Sequence, residues 1–259
     1  DYINKKIINY DSMYIYIVSD IHLEHIDKVD VSMFINSELY KNSILILPGD
    51  ICSIYLYDKL KTFLKCVSSI FKHIIYVPGN GEYYKPKDYK TITFSKLNQN
   101  LDNLSNHIDN LTILNKSSII INDILISGCT LWSHINFDLP PFFKISGFNS
   151  QIYNRKNKND ITFIKEQIEY AKNNNLRHII VTHYPPSKQC IKNYRKHDKY
   201  MSMYYNNLDS LFSNKLIWIY GHTHTSINKC VENTQLVSNQ YGKKKYLDEN
   251  FSNSSNIFI

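Results

Sequence analysis

The sequence predicts an α/β fold of layered sheets and helices, and three observations carry that reading. Short, wholly apolar runs rich in β-branched residues recur along 259 residues; segments of helical period separate several of them; and only 7 Gly and 7 Pro interrupt the chain. Runs apolar on both faces suit strands buried on both sides, and strands alternating with helices build an α/β layer structure.

In order, the first run is 15–18, followed by 44–47. A helix is expected over 58–72, where Leu60, Phe63, Leu64, Val67 and Phe71 share one side. Strands follow at 74–77, 119–121 and 124–126. A second helix is expected after Asp160, read as an N-cap, with Ile161, Ile164, Ile168 and Ala171 on one stripe. The last runs are 179–181 and 217–219, and the Asn-rich stretches at 98–110, 154–159 and 173–175 read as helix ends and surface loops. Without an internal repeat or a convincing linker, 1–259 is expected to be one domain.

Composition excludes several classes. The 5 cysteines, Cys52, Cys66, Cys129, Cys190 and Cys230, are odd in number, widely spaced and never form Cys-x-x-Cys, which predicts reduced thiols in a cytoplasmic protein. No apolar run approaches the roughly 20 residues of a membrane-spanning helix, and the N-terminus has no secretory pattern. The chain starts with Asp, which reads as a processed or recombinant fragment. A net charge of +7 leaves phosphate-bearing partners open, nucleic acid included, without demanding them. The basic groups Arg155/Lys156/Lys158, Lys192/Arg195/Lys196 and 243–245 read as solvated surface charge.

What ends the strands is more informative. The runs give way to Ser-Asp20-Ile-His22, Pro-Gly49-Asp50, Pro-Gly79-Asn80-Gly81-Glu82, Thr-His183-Tyr-Pro-Pro and Tyr-Gly221-His222-Thr-His224. In open α/β sheets, ligands sit outside the carboxyl ends of the strands, so five scattered loops can converge on one place. Carboxylate, amide and imidazole donors suit Mn, Fe, Zn or Mg. The pairs Asp20/His22 and His222/His224, two residues apart in extended backbone, would present both donors to one side.

This ordered set resembles the calcineurin-like metallophosphoesterases, particularly their small single-domain bacterial-type branch, from about residue 15 to 239. The resemblance also rests on the strings at 19–24, 77–80, 130–133, 181–187 and 218–224. It implies a four-layer α/β/β/α sandwich with a two-metal centre at the strand ends. Asp20, His22 and His224 would hold one divalent cation, and Asn80, His183 and His222 the other, with Asp50 bridging. Two such ions activate a bridging hydroxide for in-line attack on a phosphate ester, either mono- or diester.

One position departs from the pattern. Gly81 stands where the family carries a histidine that protonates the leaving group, oriented by the following acid, here Glu82. A positioned general acid is worth about 10²–10⁴-fold, so an enzyme with an assembled centre but slow turnover is expected. Gly81 has three accounts: a deliberate inactivating replacement, natural loss in a silent metal-bearing protein that binds a nucleotide or a protein, or a proton donor elsewhere; the two base changes that separate His from Gly codons favour the first. Under the first account, Glu82 should be a partner-poor carboxylate. A nuclease is a further alternative. Tyr83 and Tyr84 are candidates for leaving-group contact, Trp132 for the pocket wall, and His134 for a substitute donor.

Overall fold

The computed structural model describes residues 3–8, 14–36, 43–192, 198–243 and 246–258. Arg195, Lys196 and residues 244–245 of the basic groups lie outside them. Fourteen strands lie among the described residues: β1 (Ile3–Ile8), β2 (Tyr14–Ile17), β3 (Ile44–Leu47), β4 (His73–Tyr76), β5 (Leu111–Ile113), β6 (Ser117–Ile121), β7 (Ile124–Cys129), β8 (Arg177–Thr182), β9 (Leu216–Ile219), β10 (Ile227–Val231), β11 (Thr234–Ser238), β12 (Gly242–Lys243), β13 (Tyr246–Leu247) and β14 (Asn256–Phe258). One sheet has the order β14-β2-β3-β4-β5, the other β1-β6-β7-β8-β9-β11-β10, and β12 pairs with β13. The strands that lead into the candidate site, β2-β3-β4 and β8-β9, run parallel within their sheets.

Alternation along each strand explains the layering. Ile15 and Ile17, Ile44 and Ile46, and Ile75 and Val77 from the five-stranded sheet join Ile124 and Ile126, Ile179 and Val181, and Ile219 from the other in one apolar layer between the sheets. The intervening residues, among them Tyr16, Leu45, Leu47, Ile74 and Tyr76 on one sheet and Ile180 and Trp218 on the other, belong to the core shared with the helices. Period-2 side chains with apolar residues at both phases bury both faces of a sheet. The outer layers are α1 (Tyr57–Ser68) and α2 (Phe94–Ser105) over the five-stranded sheet, and α3 (Ser150–Asn173) against β7 and β8. The result is the α/β/β/α sandwich.

Two local expectations are corrected. Asp160 is not an N-cap: α3 begins ten residues earlier, where the Asn149 side chain accepts the Ile152 N–H at 2.8 Å, and the stretch 154–159 is helical. Asp160 is buried on the inward face, where its carboxylate accepts the Trp132 N–H and lies 3.7 Å from the Lys116 ammonium, and burial pushes its pKa up to about 6. The stretch 98–110 likewise contains most of α2, capped by Thr93 and packed through Leu97, Leu101 and Leu104. All five cysteines are free, and among the described residues no helix is long and apolar enough to cross a membrane.

Candidate metal centre

The loops after β2, β3 and β4 supply Asp20, His22, Asp50 and Asn80, and those after β8 and β9 supply His183, His222 and His224. The site therefore straddles both sheets. They are stitched together beside it, because the Ser19 N–H donates to the Asn239 carbonyl, and the Tyr241 and Gly242 N–H groups to the carbonyls of Ser19 and Asp20.

The ligand loops are not extended, as the spacing had suggested. Asp20, His22, Asp50, His222 and His224 all have positive φ, from 50° to 74°. Left-handed residues turn the chain sharply, so the paired donors reach one side by curling of the loop and not by strand alternation. A non-glycine residue in this region costs on the order of 1 kcal/mol, and such strain clusters at functional sites. Gly49, at φ 88°, allows a still closer approach: a Cβ there would lie 2.5 Å from His183 Nδ1 and 2.7 Å from the Gly79 nitrogen.

Three of the four histidines are oriented by an outward nitrogen. His22 Nδ1 is 2.9 Å from Glu24 Oε1, His183 Nδ1 donates to the Pro48 carbonyl at 2.9 Å, and His222 Nε2 to that of Met203 at 3.2 Å. Such partners fix tautomer and ring direction in metal sites. The inward atoms converge: His183 Nε2 lies 3.1 Å from Asn80 Oδ1, 3.3 Å from Asp50 Oδ1 and 3.2 Å from His222 Nδ1. Around the second point, His22 Nε2 is 3.2 Å from His224 Nε2 and 3.6 Å from Asp50 Oδ2, with Asp20 Oδ1 3.5 Å from His224 Nε2. Two sets, Asp20/His22/His224 and Asp20/Asp50/His183, are close enough for each to hold one ion.

The donor chemistry fits cations. With Nδ1 donating to the Pro48 carbonyl, the neutral His183 ring presents an Nε2 lone pair to the oxygens of Asn80 and Asp50, acceptors meeting acceptors, an arrangement a cation relieves. Without a metal, positive charge on the imidazoles takes the cation's place: burial works against the charge on Asp50, yet protonation of His183, His22 and His222 beside it would hold its pKa down at about 2. For His22, burial opposes protonation, but the Glu24 hydrogen bond and the surrounding carboxylates raise it to about 9. Burial and neighbouring His183 drive His222 well below the usual imidazole range.

Glu82 is the clearest departure from expectation. Far from partner-poor, it accepts the N–H groups of Asp50 (2.9 Å), Ile51 (2.7 Å) and Gly79 (2.7 Å) and the Tyr76 hydroxyl (2.6 Å). It ties the Asp50 loop to the Asn80 loop, while burial and then the Asp50 charge push its pKa up to about 7. At Gly81 the N–H donates to Asp50 Oδ1 at 2.6 Å, and a Cβ would lie 2.8 Å from Asp50 Cγ, so a side chain here requires that carboxylate to swing aside.

A cleft of about 880 Å³ opens over the cluster, lined among others by His22, Asp50, Asn80, Gly81, His222 and His224. Tyr84 also lines it, but Tyr83, Trp132 and His134 do not. Tyr83 is buried beneath the loop, stacked on Phe94 with its hydroxyl donating to Asn98. Trp132 is buried among Tyr153, Phe148 and Tyr184 and backs the cleft only through the last of these. His134 points to solvent between the buried Ser133 and Ile135, because the stretch alternates inward and outward. Sequence reasoning passed over Glu24, whose signal was its place two residues beyond His22 in the string 19–24.

Comparison with known proteins now decides the family. The calcineurin-like phosphoesterase family model matches residues 13–226. The chain belongs to the calcineurin-like phosphoesterase family. An uncharacterised protein of Acanthamoeba polyphaga mimivirus is 31% identical over 254 residues, covering 87% of this chain and 89% of that one. Among solved structures, the phosphopantetheinyl hydrolase of Mycobacterium tuberculosis shares the fold at TM-score 0.65 and 14% identity, over 90% of this chain and 91% of that one. A candidate 5′-nucleotidase from Staphylococcus aureus, solved with α-ketoglutarate, matches at TM-score 0.53 and 14% identity, over 88% of this chain and 48% of that one. Membership of this phosphoesterase family supports a hydrolase of phosphate esters and a centre that binds divalent metal.

Proposed function

We propose that the protein hydrolyses a phosphate ester at a dinuclear centre held by Asp20, His22 and His224 on one side and Asn80, His183 and His222 on the other, with Asp50 shared. The observation that supports it most is the convergence of His183 Nε2, Asn80 Oδ1, Asp50 Oδ1 and His222 Nδ1 on one point while the outward nitrogens of both rings are already engaged. When bound, two divalent cations supply positive charge for the phosphoryl oxygens and make hydroxide available near neutral pH. Mn, Fe, Zn and Mg all suit such donors.

The chain's own residues do the rest. Glu24, Pro48 and Met203 hold the imidazoles in the ligating tautomer and direction. Glu82, through three backbone N–H groups and one hydroxyl, holds Asp50 and Asn80 in register. Buried Asp20 receives the His222 N–H at 3.0 Å as well as the Ser19 hydroxyl at 2.6 Å, which fixes the direction of its remaining lone pairs. No side chain at position 81 reaches the leaving group, so proton delivery is the deficient step and turnover is slow on esters with poor leaving groups.

Metal content and activity test this together. Purified protein loaded with Mn²⁺ should hold two ions per chain and cleave activated phosphodiesters slowly. Gly81→His should raise that rate by about 10²–10⁴-fold, provided Asp50 turns to admit the ring. Two bound ions with no hydrolysis in either form would favour the silent binding protein instead.

A further inference from the structure

Exposed apolar rings gather at the mouth of the cleft. Seven large apolar side chains are exposed among the described residues, and three of them, Tyr89 (43% exposed), Phe142 (54%) and Tyr204 (40%), line this one cavity. Single exposed apolar residues need no explanation, but a cluster at a concave site points to a ligand. Each ring is backed by another. Tyr89 meets Tyr55 edge-on at 6.3 Å, Phe142 meets Tyr200 edge-on at 5.4 Å, and Tyr204 lies over His222 at 5.5 Å. Tyr55 is itself fixed, its hydroxyl donating to the Ile92 carbonyl and accepting the Ile92 N–H. The Lys85 ammonium donates to the Tyr89 carbonyl at 3.0 Å, which curls the loop that carries this ring. The rings are thus set in place before anything binds, which lowers the entropy cost of stacking.

Charge and shape narrow the ligand. Lys85 and Lys87 line the same cleft, whereas its two carboxylates, Glu24 and Asp50, lie against the histidines of the cluster. Of aliphatic walls there are only Leu56, Pro86 and Met203. A cavity of about 880 Å³ is far larger than a phosphate group needs and falls in the range of pockets for drug-sized ligands. Aromatic faces beside cations, with few aliphatic contacts, suit a planar ring system attached to an anion, not an alkyl chain or a bare sugar phosphate.

We propose that the cleft takes a nucleotide, its phosphate at the Asp/His/Asn cluster and its base stacked on the faces of Tyr89 and Phe142. This rests on the phosphoesterase reading above and adds the substrate class. Calorimetric titration of the Mn²⁺-loaded protein with AMP, ribose 5-phosphate and inorganic phosphate tests it, in the parent and in Tyr89→Leu and Phe142→Leu. These variants keep apolar bulk and remove the aromatic face. AMP should bind about tenfold tighter than ribose 5-phosphate, the scale of one base–aromatic stack. Each variant should lose about 3–10-fold on AMP and nothing on phosphate, which also reports an intact fold. Equal affinity for AMP and ribose 5-phosphate, or equal losses on all three ligands, would overturn the nucleotide assignment and leave the phosphoesterase reading standing. Absence of metal-dependent binding by all three would overturn that reading and this inference together.

Discussion

Two buried polar clusters occupy opposite parts of the seven-stranded sheet, and they differ in how their atoms meet. Beneath α3, His178 Nε2 lies 2.9 Å from Ser127 Oγ, Ser127 lies 2.9 Å from Ser118, and Ser118 donates to Gln167 Oε1 at 2.7 Å. One proton per contact can run in a single sense along this chain, so each contact pairs a donor with an acceptor. At the other end of the same strand β8, His183 Nε2 faces Asn80 Oδ1 and Asp50 Oδ1, with its own proton already on the far nitrogen. Both histidines are buried, five residues apart on one strand and its loop. The first network is satisfied by protein atoms alone, whereas the second, with His183 neutral, leaves acceptors facing one another and would be completed by a cation. Burial alone therefore does not distinguish a structural histidine from a functional one; the sense of its hydrogen bonds does.

The sharpest way to break this contrast is Asp50→Asn, which removes the shared charge. Metal content by elemental analysis should fall below one ion per chain and activity by on the order of 10³-fold or more, beyond the 10–100-fold typical of losing an outer partner. Retention of two ions would remove Asp50 from the centre. Next in size is metal depletion. Chelation should lower the melting temperature, because ions at a thousand times their dissociation constant add about 4 kcal/mol to the folded state, whereas Asp50→Asn should be nearly insensitive to the chelator.

The closed network has its own signature in pH. Burial lowers the His178 pKa to about 4, against an ordinary imidazole value near 6.5. As pH falls through that window the unfolded chain takes up a proton that the folded chain refuses, so stability drops with falling pH, by about 3 kcal/mol in all. Denaturant unfolding at pH 7 and pH 4 should show this dependence in the parent and its loss in His178→Leu, with metal content at pH 7 unchanged. Smallest is Glu24→Gln, which keeps the shape beside His22 and removes the charge. Metal affinity by titration should weaken by about 10–100-fold, and the raised pKa of His22 in the metal-free protein should fall.

Much of this was legible in the sequence because the relevant physics is local. Ile44, Leu45, Ile46 and Leu47 read as a strand buried on both faces since both phases of the alternation are apolar, and that is how they pack. The seven proposed ligands were legible as residue types after strands, but not as left-handed residues, because φ at Asp20 or His224 is imposed by loops from two sheets meeting. The first half of α3 was hidden by chemistry: its inward face carries Asn157 and Asp160 beside Tyr153, so polar residues stand where a helical stripe should be apolar. Asn157 is there to donate to the Trp132 carbonyl and to Asn206. Neither Glu82's four donors nor the outward turn of His134 could be read without the fold, since each depends on chain segments distant in sequence.

The stitching of the sheets beside Asp20 has a consequence for how the protein matures. The proposed ligands span residues 20 to 224, and the backbone hydrogen bonds that seat Asp20 come from residues 241 and 242, across the layer boundary. A ribosome that has released only the N-terminal half has made Asp20, His22, Asp50 and Asn80 but not His183, His222 and His224, which face them. The full proposed donor set therefore comes together only once the segments through residue 242 are in place and the two sheets have docked.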